Sequence, residues 1–159
     1  MNYLIEPSII RAVRKLLAGR VNELLLDAEF SIPAIEFGEY RGGDAVVPAI
    51  ALSACERTEK ERIIRLDAYS LSISFTVPET LEAEWQCYAY AAAVSRAVAE
   101  DPTLGGIADR AVITGKKYSP PKRPYCGEGW GVAISLRVTV ETAGRERFEM
   151  SKEQGAESK

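Results

Sequence analysis

Between Tyr69 and Val77 the chain alternates without a break: Tyr69, Leu71, Ile73, Phe75 and Val77 fall on one parity, Ser70, Ser72, Ser74 and Thr76 on the other. A β-strand sends successive side chains to opposite faces, so this run has one large apolar face and one made only of hydroxyls. Few folds accept such a strand. One side must be covered by a core, and the other must be left to something small-grained. A second strand of the same kind follows near the C-terminus, with Val132, Ile134, Leu136, Val138 and Val140 alternating with Ala133, Ser135, Arg137, Thr139 and Glu141. Two strands with one apolar face each need a covering layer, and the remaining periodicities supply helices for it.

The first helix is predicted over roughly 7–27, from Ile9, Ile10, Val13, Leu16, Leu17, Val21, Leu24 and Leu25 at three- and four-residue intervals. Pro7 suits its first turn, where a missing N–H costs nothing. Gly19 is a position for a bend or break. The second helix is expected after Pro78-Glu79-Thr80, with Thr80 as N-cap and Leu81, Trp85, Tyr88, Ala91, Ala92, Ser95 and Val98 as its buried stripe. Asp101-Pro102 stops it and Gly105-Gly106 completes the turn.

Shorter extended pieces fill the intervals. Ile32–Tyr40 reads as an edge strand because Pro33 cannot donate to a ladder. Arg41-Gly42-Gly43-Asp44 reads as a turn, Ala45–Cys55 as a strand and the charged Glu56–Arg62 as a solvated hairpin tip leading into a strand at Ile63–Val77. Ala111–Thr114 is a short strand. The 17 residues from Gly115 to Gly131, with three prolines and four glycines, read as a long irregular loop. The fold class expected is α+β: a mainly antiparallel sheet with two amphipathic helices packed on one face. Residues 1–145 make one domain, and 146–159 a polar tail expected to be disordered.

Composition narrows function by subtraction. The 159 residues include no histidine, which removes Ser-His-Asp and Cys-His nucleophile systems and the commonest metal ligand. Cys55, Cys87 and Cys126 are three, widely spaced and without a CxxC pair, so neither a zinc site nor a redox motif is indicated. Cys87 is expected to be a small core residue, and unpaired thiols fit a reducing cytosol. A net charge of −3 gives no support for a nucleic-acid or membrane-surface protein, and no apolar window is long enough to span a bilayer. No phosphate loop, dinucleotide fingerprint or metalloprotease motif occurs. No catalytic, cofactor-binding or metal-ligating residue is therefore nominated.

The nominated residues are interface residues. The loop brings Lys116, Lys117, Lys122 and Arg123 together with Tyr118, Tyr125 and Trp130, the mixture of cation and aromatic that anchors protein contacts. The same mixture could contact single-stranded nucleic acid, but four cations in an acidic chain favour a protein partner. The hydroxyl face of Ser70, Ser72 and Ser74 reads either as a solvated β face or as a flat surface onto which another subunit packs.

From Leu66 to Glu141 the chain resembles the tail terminator, or tail-completion, proteins of tailed bacteriophages and prophages, and related minor tail and neck proteins. The resemblance is carried by LDAYSLSISFTVP at 66–78, by WQCYAYAAAVSRAVAEDPTLGGIADRAVITG at 85–115 and by WGVAISLRVTVE at 130–141. The Asp101–Gly106 turn before a short strand is its most telling part. It implies a virion protein, made in the bacterial cytoplasm, that assembles as a ring, commonly a hexamer. Such a ring caps the tail tube, stops its growth and presents a surface for head joining, without a cofactor. It implies as partners further copies of the chain, the tail-tube protein and a head-completion protein. A head-completion or neck protein, whose cations would meet DNA only by lining a lumen, and a small enzyme or ligand-binding domain using carboxylate, Tyr or Lys groups remain alternatives.

Overall fold

The computed structural model describes residues 5–28, 32–36, 46–59, 64–123 and 128–143. Two helices, α1 (Ile5–Leu25) and α2 (Ala83–Glu100), and four strands, β1 (Ala49–Glu59), β2 (Ile64–Val77), β3 (Arg110–Ser119) and β4 (Trp130–Ala143), follow in the order α1-β1-β2-α2-β3-β4. The sheet order is β1-β2-β4-β3, antiparallel throughout. This is the α+β arrangement expected, with both helices against the sheet. Its centre is the pairing of β2 with β4, unbroken from Ile64↔Ala143 to Val77↔Trp130. The register sets Tyr69, Leu71, Ile73 and Phe75 beside Val138, Leu136, Ile134 and Val132, so both alternating strands bury their large groups on one face.

Five residues of α1, Ile9, Val13, Leu17, Val21 and Leu25, are buried at spacings of four, and Ile10, Leu16 and Leu24 flank them half-buried. The helix runs through Gly19 without interruption, because packing of this stripe outweighs one weak position. Segment 32–36 is not the edge strand expected. Ile35 makes a single parallel bridge to Val46, and the chain is held by side chains instead. The Asn22 amide donates to the Ile35 carbonyl at 3.0 Å and accepts from its N–H at 2.9 Å, while the Tyr90 hydroxyl donates to the Pro33 carbonyl. Residues 37–45, with the expected Arg41–Asp44 turn, lie outside the described residues.

Both edge strands are displaced from their expected limits. β1 starts after Pro48 and continues through Glu59, so Glu56–Glu59 belong to the ladder and not to a tip; 60–62 lie outside the described residues. One reason is Arg57, whose guanidinium makes two bonds to Asp67 opposite it, Nε to Oδ1 at 2.7 Å and Nη2 to Oδ2 at 3.1 Å. The Asp67 carboxylate is buried, and a buried carboxylate needs such a partner. β3 runs on to Ser119, well beyond Thr114, because β4 supplies partners for Lys116, Lys117 and Tyr118. Of the expected loop this leaves the stretch between Ser119 and Trp130, of which 124–127 lie outside the described residues. Gly129 closes it at φ 76°, where a Cβ would stand 2.6 Å from the Val77 carbonyl.

The buried stripe of α2 is only partly the one expected: Ala91 and Val98 are buried as expected, the larger residues are not. Leu81, Trp85, Tyr88 and Ala92 are exposed; Ala83, Cys87, Tyr90, Ala91, Val94, Ala97 and Val98 are buried. Small residues let the helix approach α1 and the sheet closely, and Tyr90 alone fills depth, edge-on to Phe75 at 5.5 Å. Thr80 does not cap the helix. Its hydroxyl accepts from the Glu82 N–H at 3.3 Å in a preceding turn, and Glu82 stands at the cap. At the other end the Asp101 carboxylate accepts from the Gly105 N–H and the Thr103 hydroxyl, organising three successive left-handed residues, Leu104, Gly105 and Gly106. A left-handed leucine costs about 1–2 kcal/mol, and burial of the Leu104 side chain offsets it.

Replacing the exposed Gly19 by alanine, with nothing within 4 Å of the new methyl, should raise stability by about 0.5–1 kcal/mol in a denaturant melt. Burial pushes the Cys87 thiol up to about 11. The folded chain holds that proton more tightly than the unfolded one, so this stability is intact below about pH 9 and is lost as pH rises toward about 11. Cys87→Ala should flatten that part of the decline in urea midpoints measured from pH 8 upward.

Candidate functional site

The middle of the sheet face turned away from the helices is a patch of small side chains. Reading across the register, one row is Ala49, Ser74, Ala133 and Lys117; the next is Ala51, Ser72, Ser135 and Gly115; a third is Ala54, Ser70, Arg137 and Val112. Ser70, Ser72 and Ser74 are therefore brought together as expected, down the middle of the face, flanked by alanines on β1. Small groups leave the backbone nearly bare, and a shallow depression opens between Ala49, Ser74, Ala133 and Ser119. The Ser53 hydroxyl, at a bulge in β1, donates to the Ser70 carbonyl at 3.1 Å. Charge flanks the patch: Lys117 stands on β3 at one end, and toward the other Arg137 lies 3.8 Å from Glu56, both well exposed.

The expected basic and aromatic loop is not one site. Lys116 and Lys117 are neighbours in a strand and so take opposite faces: Lys117 pairs with Ala133 on the small-residue face, Lys116 with Ile134 on the helix side. Lys122 and Arg123 follow at bends beyond β3, where the Glu128 carboxylate accepts from the Lys122 N–H at 2.9 Å. Trp130 is half-buried, opposite Val77 at the start of β4, and packs against the core instead of presenting its ring. Tyr125 lies outside the described residues.

Tyr118 instead joins Trp85 and Tyr88, two aromatic residues expected in the buried stripe of α2. Tyr118 meets Tyr88 edge-on at 5.0 Å, and Tyr88 meets Trp85 edge-on at 5.8 Å. The Tyr88 hydroxyl donates to Glu84 at 2.8 Å, and that bond, ahead of burial, raises its pKa. With Trp85 59% exposed and Leu81 94% exposed, this ladder is an apolar ridge along the outer side of α2 toward β3. The heptad-like spacing of Ala83, Cys87, Tyr90, Val94 and Ala97 was the available signal for the true phase; large aromatics drew the stripe elsewhere.

A groove of about 690 Å³ runs between α1 and the turn after α2, past Arg11, Lys15, Gly19, Leu104 and Ile107. Its acids are already engaged. Glu100 accepts from Arg20 at 2.8 and 3.2 Å, which lowers its pKa, and Asp101 holds the turn. Among the described residues no three of Cys, Asp or Glu stand close enough to hold a metal ion. No helix there is long and apolar enough to cross a membrane.

Compared with known protein families, the chain matches no family model. A search of curated proteins finds no match either.

Because Trp85 is exposed and its loss opens no cavity in the core, Trp85→Ala should change stability by no more than about 0.5 kcal/mol in a thermal or urea melt.

Proposed function

We propose that the chain is a structural protein of a tailed phage or prophage virion, one that assembles into a ring and terminates the tail tube. The observation that carries this reading is the small-residue face. A sheet face meant only for water usually bears long charged or β-branched side chains, which protect it and favour the strand. Rows of alanine, serine and glycine instead let a second protein surface approach the backbone closely. In the order helix, two strands, helix, two strands, the segments that carry the resemblance to tail terminators are β2, α2 with the turn and strand after it, and β4. The ridge of Trp85, Tyr88 and Tyr118 adds aromatic groups suited to anchoring a partner. The partners proposed are further copies of the chain, the tail-tube protein and a head-completion protein. No cofactor is required.

The test is light scattering and electron microscopy of the purified protein, alone and with tail-tube protein. The protein should bind the tube end and limit tube length. Ser72→Arg, at the centre of the small-residue face, should fold with an unchanged circular dichroism spectrum and lose that effect. Tube growth that is indifferent to the wild-type protein would remove the reading.

A further inference from the structure

The two edge strands share an irregularity that neither shares with the strand inside it. β1 carries a bulge between Leu52 and Ala54, and β3 carries one between Ile113 and Gly115. Both fall beside the same row of the sheet, the one that crosses Leu52, Leu71, Leu136 and Ile113. From the row of Ala49 and Lys117 to the row of Glu56 and Arg110, β1 and β3 each take seven residue steps, where β2 and β4 take six. Over that span each edge is one residue longer than its own neighbour and equal in count to the opposite edge.

We propose that copies of this chain join by continuing their sheets, β3 of one laid antiparallel on β1 of the next with Arg110 opposite Glu56. Strand direction allows it. With every neighbouring pair antiparallel in the order β1-β2-β4-β3, the edges β1 and β3 run in opposite senses, so a copy added alongside meets β3 with an antiparallel β1. Residue count allows it as well: Arg110–Lys117 and Ala49–Glu56 pair throughout, with no residue left over. The opposed side chains are compatible. Gly115 meets Ala51, Val112 meets Ala54, and Ala111 meets Cys55, so close approach is unhindered; the one doubly charged pair is Arg110 with Glu56, of opposite sign. Among the described residues, β1 is paired only with β2 and β3 only with β4, and both strands keep an outward row of backbone groups. A bulge on a single edge discourages pairing. Two bulges that flank the same row, one on each side of it, favour the register that sets them side by side, with Ser53 opposite Ile113 and Thr114 opposite Leu52.

Such a contact is heterologous: one surface meets a different one, so it repeats from copy to copy, and a ring results where the rotation between copies closes. The inference deepens the assembly reading and rests on it for its setting. It assigns the subunit contact to the strand edges, leaving the small-residue face and the aromatic ridge for other partners.

Paired cysteines test it. Residues 56 and 110 sit on opposite edges of one copy, three strand spacings or about 14 Å apart, beyond the roughly 7 Å that a disulfide can bridge. Directly opposed residues of two joined copies fall within that reach. In a background with Cys55 and Cys126 replaced by serine, Glu56→Cys combined with Arg110→Cys should give, on mild oxidation, a ladder of covalent dimers, trimers and higher species. Ala54→Cys with Val112→Cys should give the same ladder, and each single variant should stop at dimer or below. Glu56→Arg should weaken association about threefold or more, and the added Arg110→Glu should restore it. A ladder absent from both pairs, or one ending at dimer, overturns edge joining. Rings that form normally without a ladder overturn it while leaving the assembly reading in place. A ladder from a protein without effect on tube length supports edge joining and removes the terminator reading.

Discussion

The structure depends on the pairing of β2 with β4. Fourteen residue pairs run in one unbroken register between strands that are far apart in the chain, and every other element is placed by reference to them. That register puts the two alternating apolar series side by side and makes a continuous floor for both helices. A slip of one residue would turn one series outward, replacing Leu, Ile and Val in the core by Ser, Thr and Arg. The register is thus held by burial along its whole length, and the outer face inherits its composition as a consequence. Ser70, Ser72, Ser74, Ser135 and Thr139 lie outward because their neighbours cannot.

The flanking strands are joined less uniformly. β1 leaves the register at Ser53 and is fastened beyond it by the ion pair of Arg57 with the buried Asp67 carboxylate. β3 leaves it at Thr114 and is fastened by the Asp109 carboxylate, which accepts from the Glu141 N–H, and by Tyr118 against Tyr88. Each edge thus has a fixed geometry in spite of its bulge. A regular central pair and two specifically irregular edges are what a repeating assembly needs: a rigid body, and ends that favour one register.

The covering layer follows a different rule. α1 presents an ordinary aliphatic stripe, whereas α2 presents alanines, Cys87 and Val94 around one deep tyrosine. Close packing through small residues brings α2 near enough for Tyr90 to reach Pro33 and for Tyr88 to reach Tyr118. Trp85 and Tyr88, unlike Tyr90, stand on the outward side of the helix, as Leu81 does in the turn before it.

Both central strands, α1 and the stop at Asp101 were legible because each is written in a period that local geometry enforces: two for a strand, near 3.6 for a helix, a proline and two glycines for a turn. The α+β class followed from those alone. What local pattern could not decide was anything set by a partner distant in sequence. Lys116 to Ser119 look like loop until β4 is laid beside them, Glu56 to Glu59 look like a solvated tip until Asp67 faces Arg57, and the phase of an alanine-rich helix is ambiguous until a sheet chooses its side. The small-residue face was visible in the sequence as a row of serines, but its extension across β1 and β4, and the matched bulges at its two edges, exist only in the register between strands. The sequence by itself determined the two central strands, the two helices and the class of fold; the tertiary structure decided the extent of the edge strands and which faces and edges are left to meet another molecule, because those are settled by long-range pairing and packing.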